Sequence, residues 1–505
     1  MMNDFGKSDR PIVPKKERNK TTAVEPQAIN ATASSAVFAD ALEGRGRTKG
    51  NALKDDGCRA QDRESPQQVL ERIRLLARKD RATQFRSIWH MVYDEARLHR
   101  AFCLTKEASA GIDGETKEHY GTNLFENLAD LSARLKRGAY HARPVRRVYI
   151  PKPDGRQRPL GIPTLEDKIV QRATCEVLEA IYEEDFHDFS YGFRPGRNQH
   201  QALDTLALAI ERRPMNWVLD ADIRGFFDNI DHEWLIRFLE QRITDKRVLR
   251  HIRKWLLAGV LEDGKVHTAD YGTPQGGSIS PLLANIYLHY AIDNWAILWQ
   301  CRRARGHMQI VRYADDIVVC FQHREDAERF LAEMRERLGR FHLELNMDKT
   351  RLIEFGRKAR QNRQGRGDGP PETFDFLGFT HCCGKTKKGQ FAVVRRTARK
   401  KLRAKLAEIG KELRKRLHDP IHQVGHWLGQ VLRGHYQYYG VPHNMPRLNT
   451  FRFQITHRWK RALARRSDKS KDNWERMGYL AKRYLPLPRL CHGYPGMRTS
   501  VTHPR

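Results

Sequence analysis

Apolar residues recur along this chain first at helical spacing and then at strand spacing. Leu70, Ile73 and Leu76 follow Ser65-Pro66, a start signal in which Ser can cap the helix and Pro suits its first turn. Ile88, Trp89, Val92 and Tyr93 mark a second helix, and Leu124 to Leu135 a third. From Arg146 the spacing shortens. Val148-Tyr149-Ile150 and Arg158 to Ile162 read as strands joined by a Pro153-Asp154-Gly155 turn.

Helices over 165–183 and 197–212 precede a strand from Val218 to Ile223. A helical stretch over 232–259, a loop over 273–280 and a helix over 283–300 come next. Two short β-rich segments, Gln309 to Val311 and Ile317 to Cys320, then flank Arg312-Tyr313-Ala314-Asp315-Asp316 and predict a hairpin with acids at its tip. A helix over 324–340 and strands over 351–355 and 374–379 follow, with a polar linker at 361–369. After Arg395 the pattern is helical, with breaks at Pro420 and near Pro442. Residues 1–64 show little apolar periodicity and predict a disordered tail. Strands and helices in these proportions give an α+β class.

Charge changes the picture. The 505 residues hold 92 Lys+Arg against 61 Asp+Glu, a formal net charge of +31. From Phe391 to Arg505 there are 27 basic residues and 6 acidic ones, so +21 lies in the last 115 residues. That concentration points to a polyanion, and nucleic acid is the commonest. The eight cysteines form no C-x-x-C pair and read as reduced thiols. His381-Cys382-Cys383 lacks a second ligand cluster at zinc spacing and reads as structural. No apolar run reaches membrane-spanning length and no signal-peptide core opens the chain, which predicts a cytoplasmic protein without a membrane partner.

Adjacent acids stay ionised together only beside cations. Asp315 and Asp316 therefore need a partner, and a further acid at the end of the 218–223 strand would supply a second side to the site. Asp220 and Asp222 share one face at period two, so spacing does not choose between them. Acids from two strands suit a pair of Mg²⁺ ions of the kind that serves in-line phosphoryl displacement. Lys152 and Arg158 flank the predicted turn and could grip phosphates. Gly272-Thr273-Pro274-Gln275-Gly276-Gly277-Ser278 offers a backbone with few bulky Cβ atoms, against which a base pair can lie.

The ordered blocks are Arg158-Pro-Leu-Gly-Ile-Pro163, Tyr191-Gly-Phe-Arg-Pro-Gly-Arg197 and Asp222-Ile-Arg-Gly-Phe-Phe-Asp-Asn-Ile-Asp-His232, then Thr273 to Asn285, Tyr313-Ala-Asp-Asp316, Leu345 to Thr350 and Phe376-Leu-Gly-Phe379. Together they resemble group II intron-encoded reverse transcriptase/maturases over residues 65–495. The resemblance implies a right-hand polymerase with fingers and a ferredoxin-like palm, followed by an all-α basic thumb/maturase domain. Its boundaries would be 65–215 for the N-terminal helices and fingers, 216–390 for the palm, 391–445 for the thumb and 446–505 for a basic RNA- and DNA-binding region. It implies that Asp222, rather than Asp220, joins Asp315 and Asp316 as catalytic acid and ligand of two Mg²⁺ ions. Lys152, Arg158, Gln275 and Gly276 would bind the incoming nucleotide, and the Phe227 ring would exclude a 2′-hydroxyl. Lys349 would be either structural or close to phosphate. Phe376-Leu377-Gly378 resembles a primer-contacting hairpin.

Leu432 to Gly440 resembles the thumb signature, with Arg433, Tyr436 and Tyr439 expected to contact RNA alongside Arg395 and Arg396. The implied activity is RNA-directed DNA polymerisation of intron RNA, with assistance to splicing and retrohoming. Its partners would be group II intron RNA, target DNA, primer and dNTPs, with a homodimer left open. Two rivals are a host-adopted reverse transcriptase in defence or repeat-array service and a splicing-only maturase. A complete set of acids disfavours the second. No H-N-H pattern with paired cysteines follows the thumb, so intrinsic second-strand cleavage is not expected.

Overall fold

The computed structural model describes residues 65–106, 109–151, 157–262, 265–267, 271–272, 276–386, 388–466 and 474–496. The tail predicted over 1–64 lies outside them, as do Lys152, the 153–155 turn and Gln275. The described residues fall within one compact unit, Arg63–Arg505.

Order begins where Ser65-Pro66 predicts. Ser65 accepts from the Gln68 amide and the Gln68 side chain accepts from the Ser65 amide, a reciprocal capping box for the helix Pro66–Lys79. Helices Trp89–Val92, Glu95–Leu104, Lys117–Thr122 and Leu124–Arg137 complete an N-terminal group. Strands β1 (Val145–Pro151) and β2 (Gln157–Ile162) form an antiparallel hairpin. With β4 (Val260–Glu262) and β5 (Lys265–His267) they make a sheet of order β2-β1-β4-β5.

A second sheet of order β6-β7-β3-β8 is antiparallel throughout. It comprises β3 (Trp217–Asp222), β6 (Met308–Tyr313), β7 (Asp316–Phe321) and β8 (Arg351–Glu354). Buried Val218, Leu219, Val311, Val318, Val319 and Ile353 fill its interior. Helices Leu165–Tyr182, His232–Glu240, Ser280–Leu288 and Arg324–Gly339 share one apolar core with it. The third sheet, β11-β10-β9, consists of β9 (Phe374–Phe376), β10 (Phe379–Lys385) and β11 (Phe391–Thr397). Four helices follow among the described residues: Arg399–Lys415, Ile421–Tyr439, Met445–Ala464 and Trp474–Tyr484. They close a core of their own around Leu406, Leu428, Leu432, Phe451, Ile455 and Trp459. The α+β architecture with an all-α basic end is as expected.

Several elements differ from the sequence pattern for identifiable reasons. The predicted 232–259 stretch is two helices, His232–Glu240 and Lys246–Leu257. Between them, Arg242 is buried on Asp185 at 3.0 Å and Asp245 accepts from the amides of Arg247, Ile88 and Trp89, which stops one helix and starts the next. A short helix, Ala359–Gly365, runs into the predicted 361–369 linker. The helix expected over 283–300 runs from Ser280 to Arg303 through a π segment, His289–Asp293. Residues 391–397, given to the helical thumb, instead pair with 379–385 as a strand, so the expected palm–thumb division at 390 falls inside a hairpin.

Candidate active site

Two hairpin ends meet at one edge of the palm sheet. Tyr313 and Asp316 close the β6–β7 ladder, leaving Ala314 and Asp315 as a two-residue turn. Ala314 lies at φ +55, a backbone state that costs a non-glycine residue on the order of 1 kcal/mol. The β3–β7 register ends on Asp222 opposite Asp316. The three predicted acids therefore collect at one end of the sheet. Asp220 sits two residues back on the same face, opposite Val318 and Arg351, with its carboxylate 3.7 Å from the Arg351 guanidinium. The register puts Asp222, and not Asp220, at the strand end beside the acidic turn.

The turn is braced from behind by a buried network that the sequence reading missed. Arg312 is 1% exposed and forms a fork on Asp293, with Nε 2.8 Å from Oδ1 and Nη2 2.5 Å from Oδ2. Its Nη1 donates to Asn285 Oδ1 at 3.0 Å and to the Ala314 carbonyl at 3.2 Å. Asn285 in turn donates to the Gly192 carbonyl at 2.7 Å. A Cβ on Gly192 would meet the Ala314 amide nitrogen at 2.3 Å, so only glycine permits the loop to lie against the acidic turn. The available signal was a lone charge, Arg312, in the apolar strand Met308–Tyr313.

Electrostatics mark the same spot. Confinement in the cleft, then repulsion from Asp315, Asp222 and Asp220, raises Asp316 to about 7, with Lys349 opposing. Asp316 keeps solvent exposure, so the crowding of carboxylates is the cause that persists. Desolvation raises Asp220 to about 6 against the pull of Arg351. Lys349 Nζ lies 2.9 Å from Asp222 Oδ2, and Asn346 Nδ2 donates to the same oxygen at 3.1 Å. Lys349, left between two roles by the sequence, thus pairs directly with a predicted catalytic acid.

Among the described residues no three or more His, Cys, Asp or Glu side chains form a ready-made metal cage. Mg²⁺ needs none, because it is usually held by one or two carboxylates with water and substrate phosphates completing the shell. An opposed Asp222–Asp316 pair with a raised carboxyl pKa fits that donor set.

Phe227 lies in the turn Phe226–Asp228 just after Asp222, half-buried and edge-on to the buried Phe226 ring at 5.3 Å. Gly276 abuts β2: its Cβ would meet the Gly161 carbonyl oxygen at 2.5 Å, and its φ is +124. This holds Gly276 against the fingers hairpin, where the backbone of Arg158 pairs with Ile150.

The RNA-contact expectations divide. Arg396 and Arg433 are exposed. Arg395 is a correction: it is 3% exposed and its Nη1 sits 2.8 Å from Asp204, because strand alternation turns it inward while Arg396 faces out. Tyr436 is a second correction, buried in the thumb core with its hydroxyl donating to the Pro486 carbonyl at 3.1 Å. Tyr439 is half-buried and its ring packs on Phe379 with centroids 5.1 Å apart. Its neighbour Tyr438 donates to the Leu377 carbonyl at 2.8 Å. These tyrosines seat the Phe376–Phe379 hairpin on the thumb helix.

Residues 150–381 match the family model described as reverse transcriptase (RNA-dependent DNA polymerase). Protein YkfC of Escherichia coli (strain K12) is 36% identical over 326 residues, covering 58% of this chain and 81% of that protein. Group II intron-encoded protein LtrA of Lactococcus lactis subsp. cremoris is 48% identical over 183 residues, covering 36% of this chain and 30% of that protein. The putative COX1/OXI3 intron 1 protein of Saccharomyces cerevisiae (strain ATCC 204508 / S288c) is 30% identical over 282 residues, or 46% of this chain and 33% of that protein. The chain thus spans less than a third of the length of LtrA, while residues 150–381, matched by the family model, contain the three palm acids. Carboxylates paired across the palm strands, the braced acidic turn and these likenesses agree: the chain belongs to the group II intron-encoded reverse transcriptase/maturase family and is an RNA-directed DNA polymerase.

Proposed function

We infer that the chain copies intron RNA into DNA by two-metal nucleotidyl transfer and holds that RNA to assist splicing and retrohoming. The observation that carries this reading is the opposition of Asp222 and Asp316 at the end of the palm sheet, beside the turn bearing Asp315. Two Mg²⁺ ions bound there would lower the pKa of the attacking hydroxyl and stabilise the departing pyrophosphate. Asp222, Asp315 and Asp316 hold and orient that charge. Lys152 and Arg158 grip the triphosphate from the fingers, and Gln275 and Gly276 support the nascent base pair. Phe227 lies under the sugar, where a ring favours deoxynucleotides. Arg396 and Arg433 contribute to the RNA surface, supported by their exposure on a strongly basic region. No helix among the described residues is long and apolar enough to cross a membrane. A cytoplasmic site of action suits an enzyme whose partners are intron RNA, target DNA, primer and dNTPs.

The test is the double variant Asp315→Ala/Asp316→Ala. Mg²⁺-dependent extension of a primer on an RNA template should vanish while intron RNA binding persists. Full-length cDNA from that variant would overturn the metal assignment.

A further inference from the structure

A cavity of about 650 Å³ opens at the far end of the palm sheet from the acids. One wall is Gly356, just beyond β8, which packs against the Met215 carbonyl before β3 begins. At about 3.3 Å per strand residue, that wall lies roughly 20 Å from Asp222. The other walls come from the end of the helix Gln199–Arg212, the β10–β11 hairpin, the loop at His443 and the segment at Tyr494.

Its lining is cationic and partly aromatic. Arg357, Arg360 and Lys385 are exposed. Arg360 and Lys385 form no ion pair among the described residues, whereas Arg357 donates to the Glu211 carbonyl at 2.8 Å. The Glu211 carboxylate, the acid of the lining, accepts from the Val393 amide at 2.8 Å and so is already engaged. Tyr494 is 55% exposed, and its ring stands at 77° to that of His443 with centroids 5.9 Å apart. His443 holds φ +70, uncommon for a residue with a side chain.

An exposed aromatic side chain beside several cations suits one kind of ligand chemistry, a planar ring joined to a phosphate. A bare phosphate leaves the Tyr494 ring unused, and a duplex is too wide to enter. The volume falls in the roughly 300–1,000 Å³ range of small-ligand pockets. We propose that this cavity takes one unpaired nucleotide of an RNA strand, its base against Tyr494 and its phosphate on Arg360 and Lys385. The site is remote from polymerisation and rests on the RNA-binding part of the proposed function.

The experiment photo-crosslinks the full-length protein to a thiouridine-bearing single-stranded RNA and maps the adducts by peptide mass spectrometry. The expected adducts lie on the peptides of Tyr494 or His443. They should fall about tenfold in Tyr494→Ala and in Arg360→Glu/Lys385→Glu, as loss of one stacking or phosphate contact implies. Primer extension by the same variants should be unchanged. Unlabelled RNA should compete about tenfold or more better than UMP; equal competition would overturn the strand in favour of a free nucleotide. Adducts confined to other peptides, with total RNA affinity intact, would sink the cavity assignment alone. Failure of the wild-type protein to bind RNA at all would sink the RNA-binding reading beneath it.

Discussion

Asp222 and Asp316 face one another across β3 and β7, and Lys349 Nζ stands 2.9 Å from the Asp222 carboxylate. Like charges directly opposed on a sheet are destabilising, and Lys349 offsets part of that repulsion. A cation arriving at Asp222 must contend with this amine. Lys349→Ala should therefore lower the Mg²⁺ concentration needed for half-maximal thermal stabilisation, while changing metal-free stability by less than about 1 kcal/mol, since the lysine end of the pair is exposed. Thermal unfolding across a Mg²⁺ titration measures both. An unchanged Mg²⁺ midpoint would show that Lys349 does not contest the site.

Asp316→Asn removes the carboxylate that its neighbours repel. Without metal the variant should be more stable than the parent by about 0.5–1 kcal/mol, and primer extension should drop by roughly 10³-fold or more. Unfolding in chelator and extension on an RNA template give the two readings. A variant less stable than its parent would mean that repulsion is not what raises Asp316.

Gly192→Ala tests the brace. Its Cβ would press on the Ala314 amide at 2.3 Å, so the acidic turn must shift while the surrounding core stays intact. A displacement of about 1 Å at reacting groups costs on the order of a hundredfold in rate. Extension should fall by that order with RNA affinity retained. Full activity in the alanine variant would remove the Tyr191–Arg197 loop from the positioning of the acids.

Charge reversal separates surface from core among the arginines. Arg396→Glu and Arg433→Glu should weaken RNA binding and reduce its salt dependence by about 0.7 in log–log slope per lost phosphate contact on single strands. Arg395→Glu should instead unfold the protein more readily, by about 3–5 kcal/mol, because it leaves Asp204 buried beside a second acid. Salt-dependent binding and denaturant unfolding distinguish the two classes. A stable Arg395→Glu protein with weakened RNA binding would return Arg395 to the RNA surface.

Acid sensitivity follows from buried histidines. Desolvation holds His289 and His381 down at about 3, and His251 and His435 at about 4. Each folded value lies below the unfolded one near 6.5, so folding favours the neutral ring. The stability contributed is complete above about pH 6.5 and is lost as pH falls towards the folded values. The unfolding temperature should decline from pH 7 to pH 5. A flat profile over that window would mean that these rings gain protons without unfolding the chain.

Local pattern carried a great deal. The acidic hairpin, the capped first helix, the strand ending on Asp222 and the basic helical end are written in short-range periodicity and in blocks of residues, which depend little on distant contacts. What lay beyond reach depends on pairing between segments far apart in the chain. Period two leaves Asp220 and Asp222 equivalent; only the register with β7, 94 residues later, sets Asp222 against Asp316. The basic run that begins at Arg395 continues into the helices that follow, so charge alone does not separate 391–397 from the thumb. Pairing with β10 makes it a strand, and that alternation sends Arg395 to Asp204 and Arg396 to solvent. The fork of Arg312 on Asp293, by way of a π segment, likewise exists only once helix and hairpin pack together. A side chain's spacing fixes which neighbours it can share a face with. Whether that face meets water, an opposite charge or another carboxylate is decided by tertiary contact.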